Sequence, residues 1–180
     1  MLWRSLAAAR GDVIVWLDAD LESFTSDYVT RLLGPLLLDD SVAMVRATYD
    51  RTLNGQAAEG GRVTELTARP ALKLLFPHLA HVRQPLGGEY AIRRDVAEAV
   101  PFEIDYGVEI GLLIDVADRF GAASIAQVDL GARVHRNRPL AELHDQAGEV
   151  LRAILTRAGH REMNAIQRPR FADVPALDAA

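Results

Sequence analysis

The pattern of apolar and polar positions divides the chain into alternating strands and helices. Val13–Leu17 is a continuous apolar run rich in β-branched residues, which is typical of a strand buried on both faces of a sheet. The same criteria predict strands over Val42–Tyr49, Tyr90–Ile92 and Ser124–Leu130, and helices over Leu2–Arg10, Tyr28–Leu38, Arg62–Leu75, Asp95–Val100, Tyr106–Phe120 and Leu140–Arg157. This alternation predicts an α/β fold.

Proline and glycine predict where the pattern is interrupted. Gly34-Pro35 is expected to bend or break the second helix, and Pro70 to interrupt the third. Asn54–Gly61 predicts a flexible loop whose glycines let the backbone approach a ligand closely. Residues 159–180 show no periodicity and are predicted to form a loose tail, so the domain is expected to span 1–158.

Composition narrows the function classes. The chain has 180 residues, long enough for one domain with a core, and its net charge of −5 argues against general binding of nucleic acid or a membrane surface. There is no cysteine, which excludes disulfides and thiolate metal sites. No apolar run approaches the roughly 20 residues of a membrane span, and no signal peptide is recognisable at the start. We therefore expect a cytoplasmic protein without membrane or nucleic-acid partners.

An acidic pair follows the first predicted strand. Asp18 and Asp20 lie two residues apart, so in extended backbone both point to one side. In open α/β sheets, ligands bind at the carboxyl ends of the strands, and a divalent cation prefers carboxylate oxygens. The alternative is a simple turn, in which Asp20 caps the next helix.

Three further clusters offer polar chemistry, although each is weak alone. Gly61-Arg62-Val63-Thr64 begins a helix, where free N–H groups and a guanidinium favour an anion; a solvated arginine is the alternative. Glu109 lies in the first turn of a helix, where it could simply complement the helix dipole. His135 follows a strand within a basic segment and could equally be an ordinary surface histidine.

Taken in order, five motifs resemble the glucosyl-3-phosphoglycerate synthases. The motifs are Trp16–Asp20, Gly61–Leu66, Gln84–Tyr90, Tyr106–Leu113 and His135–Leu140. These enzymes are retaining glycosyltransferases of the GT-A fold, and the resemblance runs from about Leu2 to Arg157. It implies a Rossmann-like mixed sheet flanked by helices. It also implies that the first strands of the nucleotide-binding half lie outside this chain, together with the residues that hold uridine.

The resemblance also implies a role for each matching residue. Asp20 and His135 would ligate Mg²⁺ or Mn²⁺, and the mixed ligand set slightly favours manganese. Catalysis would rest on Asp20 and Glu109. The nucleotide sugar would be held by Asp18, Asp20, Leu86, Gly87, Gly88, Glu89, Tyr106 and Glu109. The acceptor, 3-phosphoglycerate, would be held by Gly61, Arg62, Thr64 and Asn137.

The implied reaction is a front-face displacement. Glucose would pass from UDP-glucose to 3-phosphoglycerate, and no covalent nucleophile is evident in the sequence. Half of a doubly wound sheet would leave apolar edges exposed, so we expect the chain to form a homodimer or to self-associate.

Three alternatives remain open from the sequence. The sugar could be mannose, as in the sibling mannosyl-3-phosphoglycerate synthases. The chain could be a non-catalytic module that binds a phosphorylated acid or a partner through Arg62, Arg133, Arg136 and Arg138. A metal-dependent phosphatase using Asp18 and Asp20 is the least favoured, because it needs a suitably placed lysine and the single lysine, Lys73, falls within a predicted helix.

Overall fold

The computed structural model describes residues 2–21, 24–53, 56–58, 61–134, 139–160 and 167–174. Its helices are α1 (Leu2–Ala8), α2 (Ser26–Leu38), α3 (Arg69–Leu75), α4 (Arg94–Ala99), α5 (Val108–Phe120) and α6 (His144–Arg157). Its strands are β1 (Val13–Trp16), β2 (Met44–Leu53), β3 (Gln56–Ala58), β4 (Tyr90–Arg93), β5 (Phe102–Glu103), β6 (Ile125–Val134) and β7 (Gln167–Arg168). The predicted α/β class is confirmed, and β3, β5 and β7 are short strands that the sequence did not predict.

The main sheet is mixed. Its strand order is β1-β4-β2-β3, and β6 also pairs with β2. Strand β4 is antiparallel to both β1 and β2, whereas β6 is parallel to β2. Strands β1, β2 and β6 therefore run in one direction, and their carboxyl ends lead to the same edge of the sheet. This arrangement confirms the predicted mixed sheet flanked by helices.

Alternate residues of the central strands enter two separate cores. Met44 belongs to the core that includes Ile110 and Leu112 of α5, whereas its neighbour Val45 belongs to the core that includes Leu32 of α2. This alternation follows from the two-residue period of a strand. Helices on both faces thus fix the sheet, and with it the loops at its edge.

The structure corrects two predictions about local order, the burial of β1 and a break in α2. Strand β1 is not buried on both faces, because Ile14 and Trp16 are buried while Val13 and Val15 are half-buried. Among the described strands β1 pairs with β4 alone, which explains the partial exposure. Helix α2 is not broken at Pro35 but runs through it to Leu38.

The predicted interruption at Pro70 takes a specific form. The helix does not stop; it widens into a π-helical turn over Thr64–Ala68, in which the Arg69 N–H donates to the Thr64 carbonyl. Proline cannot donate a backbone hydrogen bond, and its ring clashes with the carbonyl four residues earlier. The wider turn accommodates Pro70 while the helix continues to Leu75.

The described part of the tail contacts the domain, in contrast to the predicted loose segment. Strand β7 pairs with β5 in a small second sheet. The Trp3 indole N–H donates to the Pro169 carbonyl over 3.1 Å, and the Trp3 and Phe171 rings meet edge to face at 5.4 Å. These aromatic contacts hold residues 167–174 against α1, although that segment has no helical periodicity.

No helix in the described part of the chain combines the length and the apolar character that a membrane crossing requires.

Candidate functional site

A row of stacked side chains crosses the sheet below the candidate site. Trp16 pairs in register with Tyr90, and Tyr90 with Arg46. The Trp16 and Tyr90 ring centroids are 5.2 Å apart, and the Arg46 guanidinium carbon lies 4.8 Å from the Tyr90 centroid. Such aromatic and cation–π contacts hold each side chain in one orientation. These three side chains therefore form a fixed layer on the sheet at the carboxyl end of β1.

Asp18 lies just beyond β1 and packs against the backbone of Gly88. A Cβ atom placed on Gly88 would lie 2.1 Å from the Asp18 Oδ1 atom, well inside contact distance. Gly87 is similarly confined, because its Cβ would lie 3.3 Å from the Tyr49 hydroxyl. The two glycines thus allow the loop before β4 to approach both the acidic loop and the sheet.

Glu109 belongs to the same cluster, although it comes from the first turn of α5. The pKa of Glu109 is raised to about 7, chiefly by burial and to a smaller extent by the negative charges of Asp18 and Glu89. A hydrogen bond from its own backbone N–H and the positive charge of Arg46 act in the opposite direction. A carboxyl group that changes its protonation state near neutral pH is typical of a functional site.

Tyr90 is a second unusual group. Its side chain is fully buried, and its hydroxyl has no hydrogen-bond partner among the described residues. Burial and the charges of Glu109 and Asp18 raise the pKa of Tyr90, while Arg46 lowers it. The phenol therefore stays neutral at physiological pH. A buried hydroxyl left unsatisfied costs about 1–3 kcal/mol, which fits a position that a ligand completes.

The remaining residues predicted to bind the sugar differ in their exposure. Asp20 is exposed in the turn that follows Asp18, and Leu86 is partly buried in the loop before Gly87. Glu89 is buried. Tyr106 is 41% exposed, and its backbone N–H donates to the Glu149 carboxylate of α6 over 2.9 Å.

The residues predicted to bind the acceptor begin a helix. Gly61 precedes the first helical residue, Arg62, and the Glu65 N–H donates to the Gly61 carbonyl over 2.9 Å. Arg62 is half-buried, whereas Thr64 is buried at the start of the π-helical turn. Amide N–H groups in a first helical turn favour a negatively charged ligand.

The predicted metal ligand His135 and the predicted acceptor residue Asn137 lie outside the described residues, as do Arg136 and Arg138. Strand β6, which ends at Val134, runs in the same direction as β1. Within the described part of the chain, no three His, Cys, Asp or Glu residues are grouped so that they could hold a metal ion.

Sequence reasoning assigned no role to two members of this cluster. Arg46 is a fully buried arginine that follows the apolar residues 42–45, and Tyr90 enters the sequence prediction only as the last residue of a motif. The charge inside an apolar run was the available signal, because burying an arginine is costly unless it makes specific interactions.

The chain is similar to enzymes that transfer glucose. No protein-family model matches it. It is 52% identical over 165 residues to a glucosyl-3-phosphoglycerate synthase of Mycolicibacterium paratuberculosis, covering 88% of this chain and 50% of the relative. The chain is homologous to part of a glucosyl-3-phosphoglycerate synthase. It spans about half the length of the curated relatives it matches.

Solved structures agree with this relationship. The Mycobacterium tuberculosis glucosyl-3-phosphoglycerate synthase in complex with Mn²⁺, UDP-glucose and phosphoglyceric acid matches with a TM-score of 0.80 at 49% identity, covering 88% of this chain and 53% of that chain. Another structure of that enzyme contains Mg²⁺ and UDP. A mannosylglycerate synthase of Rhodothermus marinus is more distant, at 33% identity over 112 residues, which is 58% of this chain and 26% of the relative.

Proposed function

We propose that this chain forms the sugar- and acceptor-binding part of a retaining glycosyltransferase that moves glucose from UDP-glucose to 3-phosphoglycerate. The observation that carries the proposal is the cluster in which Asp18 packs on Gly88 beside Glu109, in a chain about half identical to synthases of this reaction. Three separate segments converge there, as a binding pocket requires.

The proposed metal is Mg²⁺ or Mn²⁺, held by Asp20 and His135. The donor set fits these ions, because carboxylate oxygen and imidazole nitrogen suit Mn²⁺ and carboxylate suits Mg²⁺. Asp20 is exposed in the turn after β1, so its carboxylate is accessible to an ion. When bound, the ion would neutralise the charge that develops on the departing diphosphate.

The proposed reaction is a single displacement on one face of the sugar. The bond between glucose C1 and the UDP oxygen breaks, and a bond forms between C1 and the free hydroxyl oxygen of 3-phosphoglycerate. The hydroxyl proton passes to the departing phosphate oxygen, giving UDP and glucosyl-3-phosphoglycerate. Stabilisation of separated charge carries most of the rate enhancement in such a step.

Glucose would lie among Asp18, Glu109 and the loop Leu86–Glu89. In its ionised form Glu109 accepts hydrogen bonds from sugar hydroxyls, and in its protonated form it can donate one. Tyr106 is half-exposed and would flank the sugar and the acceptor. Arg62, with the N–H groups at the start of its helix, would hold the phosphate of the acceptor, and Thr64 and Asn137 would complete that subsite.

The first experiment is titration calorimetry of this chain with 3-phosphoglycerate and, separately, with UDP-glucose plus Mn²⁺. We expect 3-phosphoglycerate to bind and Arg62→Ala to abolish binding. Arg69→Ala is the matched control, because Arg69 is an exposed arginine two turns further along and pairs with Glu65 over 3.5 Å. Equal loss in both variants would contradict a specific role for Arg62.

The second experiment measures transfer by mass spectrometry of the product, with UDP-glucose or GDP-mannose as donor. We expect the glucosyl product, and Asp20→Asn should remove metal-dependent turnover. Transfer of mannose alone would overturn the proposed sugar. Binding of 3-phosphoglycerate without transfer from either donor would favour a non-catalytic phospho-acid module.

Self-association is the proposed state of the isolated chain. Strand β1 pairs with β4 alone among the described strands, and exposed leucines lie on α2 and near α3: Leu37, Leu38, Leu66 and Leu74. Exposed apolar patches of this kind favour association. Sedimentation velocity should show a dimer or larger species at micromolar concentration, and a monomer would contradict the proposal.

A further inference from the structure

The loop over residues 81–88 lies across the sheet and is held from below by two side chains of one register row. Gln127 of β6 accepts from the Arg83 N–H over 2.8 Å and donates to the His81 carbonyl over 3.3 Å. Arg46 of β2, its register partner, donates from Nη2 to the carbonyls of Gln84, Pro85 and Gly87 over 3.3, 3.0 and 2.9 Å.

Arg46 holds the loop more strongly than Gln127 does. Its side chain is fully buried, and one nitrogen is shared among three carbonyl oxygens of a single turn. Hydrogen bonds from a charged donor are about twice as strong as neutral ones. Tyr90 fixes the guanidinium from the side, because the cation lies over its ring. The turn that leads into Gly88 is therefore fastened to the sheet through one cation.

The other two nitrogens of the Arg46 guanidinium, Nε and Nη1, are buried and lack hydrogen-bond partners among the described residues. The charges acting on it include Glu109 from α5 and Glu89 from the segment before β4. A structural arginine is normally saturated by its partners, because each unsatisfied buried donor costs free energy. Arg94 and Arg152 each have one such nitrogen, whereas Arg46 has two, the most of any described arginine.

We propose that Arg46 is a positioning residue, which fastens the turn leading into the Leu86–Glu89 loop to the sheet and whose positive charge acts on Glu109. This proposal rests on the proposed function only in assigning that loop to the sugar pocket. Through the turn, Arg46 sets where Gly88 meets Asp18. Through its charge, it favours the ionised form of Glu109. A single side chain thus links the shape of the pocket to the protonation state of the carboxyl group within it.

The test uses Arg46→Met, which keeps the volume and removes the charge, and Arg46→Lys, which keeps the charge without the planar fork. Hydrogen exchange of the Gly87 amide reports the loop, because this N–H donates to the Gln84 carbonyl within the turn. We expect exchange to accelerate by about tenfold or more in both variants. Arg93→Met is the matched control: Arg93 also donates to three carbonyls, those of Val42, Leu36 and Asp39, away from the site.

Carbon NMR of the Glu109 carboxyl group separates the electrostatic role from a merely structural one. Asp18, Glu89, Tyr90 and Arg46 are the charged and titratable groups that act on it. Arg46→Met should raise the pKa of Glu109 by about one pH unit, whereas Arg46→Lys should hold it near the wild-type value of about 7. Arg93→Met should leave it unchanged.

The results that would overturn this proposal differ from those that would overturn the proposed glucosyl transfer. Wild-type exchange at Gly87 together with a wild-type Glu109 titration in Arg46→Met would overturn the proposal. Full recovery of loop exchange in Arg46→Lys would overturn the need for the guanidinium fork. If Arg46→Met does not fold, Arg46→Lys alone decides, since it must combine a loosened loop with a normal Glu109. Neither readout needs turnover, so absence of glucosyl transfer would count against the proposed function alone.

Discussion

Two buried arginines of this chain are partnered in opposite ways. Arg157 of α6 donates from Nε and Nη2 to both carboxylate oxygens of Asp115, over 2.9 and 2.7 Å, and from Nη1 to Glu103 over 2.9 Å. Every nitrogen of its guanidinium has a partner. Arg46, in contrast, binds carbonyls through one nitrogen and leaves two buried nitrogens without a partner among the described residues.

The difference separates a cluster that joins elements of the fold from a cluster at the proposed site. The Arg157 cluster joins α6 to β5 and α5, and Gly111 makes room for it, because a Cβ there would lie 2.9 Å from an Arg157 nitrogen. Burial raises the pKa of Asp115, while Arg157 lowers it. The positive charge of Arg157 thus meets two carboxylates of the protein itself, those of Asp115 and Glu103. Around Arg46 the compensation is partial, as is expected where a ligand contributes part of the interactions.

The largest effect is expected from removing Arg157 from its cluster with Asp115 and Glu103. Arg157→Met leaves the carboxylates of Glu103 and Asp115 without their cation, at side-chain exposures of 0% and 17%. Removing one partner of a buried ion pair costs about 3–5 kcal/mol. Urea denaturation should therefore show the free energy of unfolding reduced by that amount.

Arg170→Met is the control for this prediction. Arg170 pairs with Asp173 over 2.7 Å, but both side chains are nearly half-exposed, at 44% and 49%. Exposed pairs contribute about 0–1 kcal/mol. Similar losses in the two variants would show that the burial of the Arg157 cluster does not set its energetic weight.

The next largest effect is expected at the site, from Gly88→Ala. The added methyl carbon would lie 2.1 Å from the Asp18 carboxylate, so that side chain must move. A displacement of about 1 Å in a reactive geometry can reduce the rate by about 100-fold. We expect kcat/KM for glucosyl transfer to fall at least that far, in a steady-state assay of UDP release.

Gly148→Ala serves as the matched control for Gly88→Ala. Gly148 lies in α6, and a Cβ there meets nothing within 4 Å. Alanine is favoured over glycine inside a helix by about 1 kcal/mol, so this variant should be slightly more stable and equally active. Normal activity in Gly88→Ala would remove the contact between Asp18 and Gly88 from the proposed site.

The sequence predicted the secondary-structure elements better than their relative arrangement. Helices such as α5 and strands such as β6 follow from periodicity, since each must bury an apolar face. Asp18, Gly88 and Glu109 were named in advance from a resemblance, and the structure brings them together. Their roles in binding remain predictions.

The local pattern of apolar and polar residues could not predict contacts between residues far apart in the sequence. The Arg46 contacts to the Gln84–Gly87 turn join residues about 40 positions apart, and no spacing rule reaches that far. The docking of Pro169 on Trp3 likewise depends on a surface that exists only in the folded chain. Pairing of β5 with β7 was missed because two-residue strands carry no period.

The smallest expected effect is a pH dependence of stability that arises from Glu109, beside Arg46. The pKa of Glu109 is raised from 4.5 to about 7, so between these pH values the folded chain retains a proton that the unfolded chain has lost. The free energy of unfolding should therefore fall as pH rises from 4.5 to 7, and the deficit should be complete above pH 7. Glu109→Gln removes the ionisation and should stabilise the chain at pH 8 by about 1–3 kcal/mol.

Thermal and urea unfolding at pH 4 and pH 8 test this prediction. The gain in Glu109→Gln should be present at pH 8 and absent at pH 4, because protonated glutamate and glutamine are then equivalent in charge. Glu142→Gln, at an exposed position, should show no such pH-dependent gain. A Glu109→Gln variant that is less stable than wild type at pH 8 would mean that Arg46 compensates the buried carboxylate fully. The two arginine clusters would then be alike in their electrostatics and differ only in their geometry.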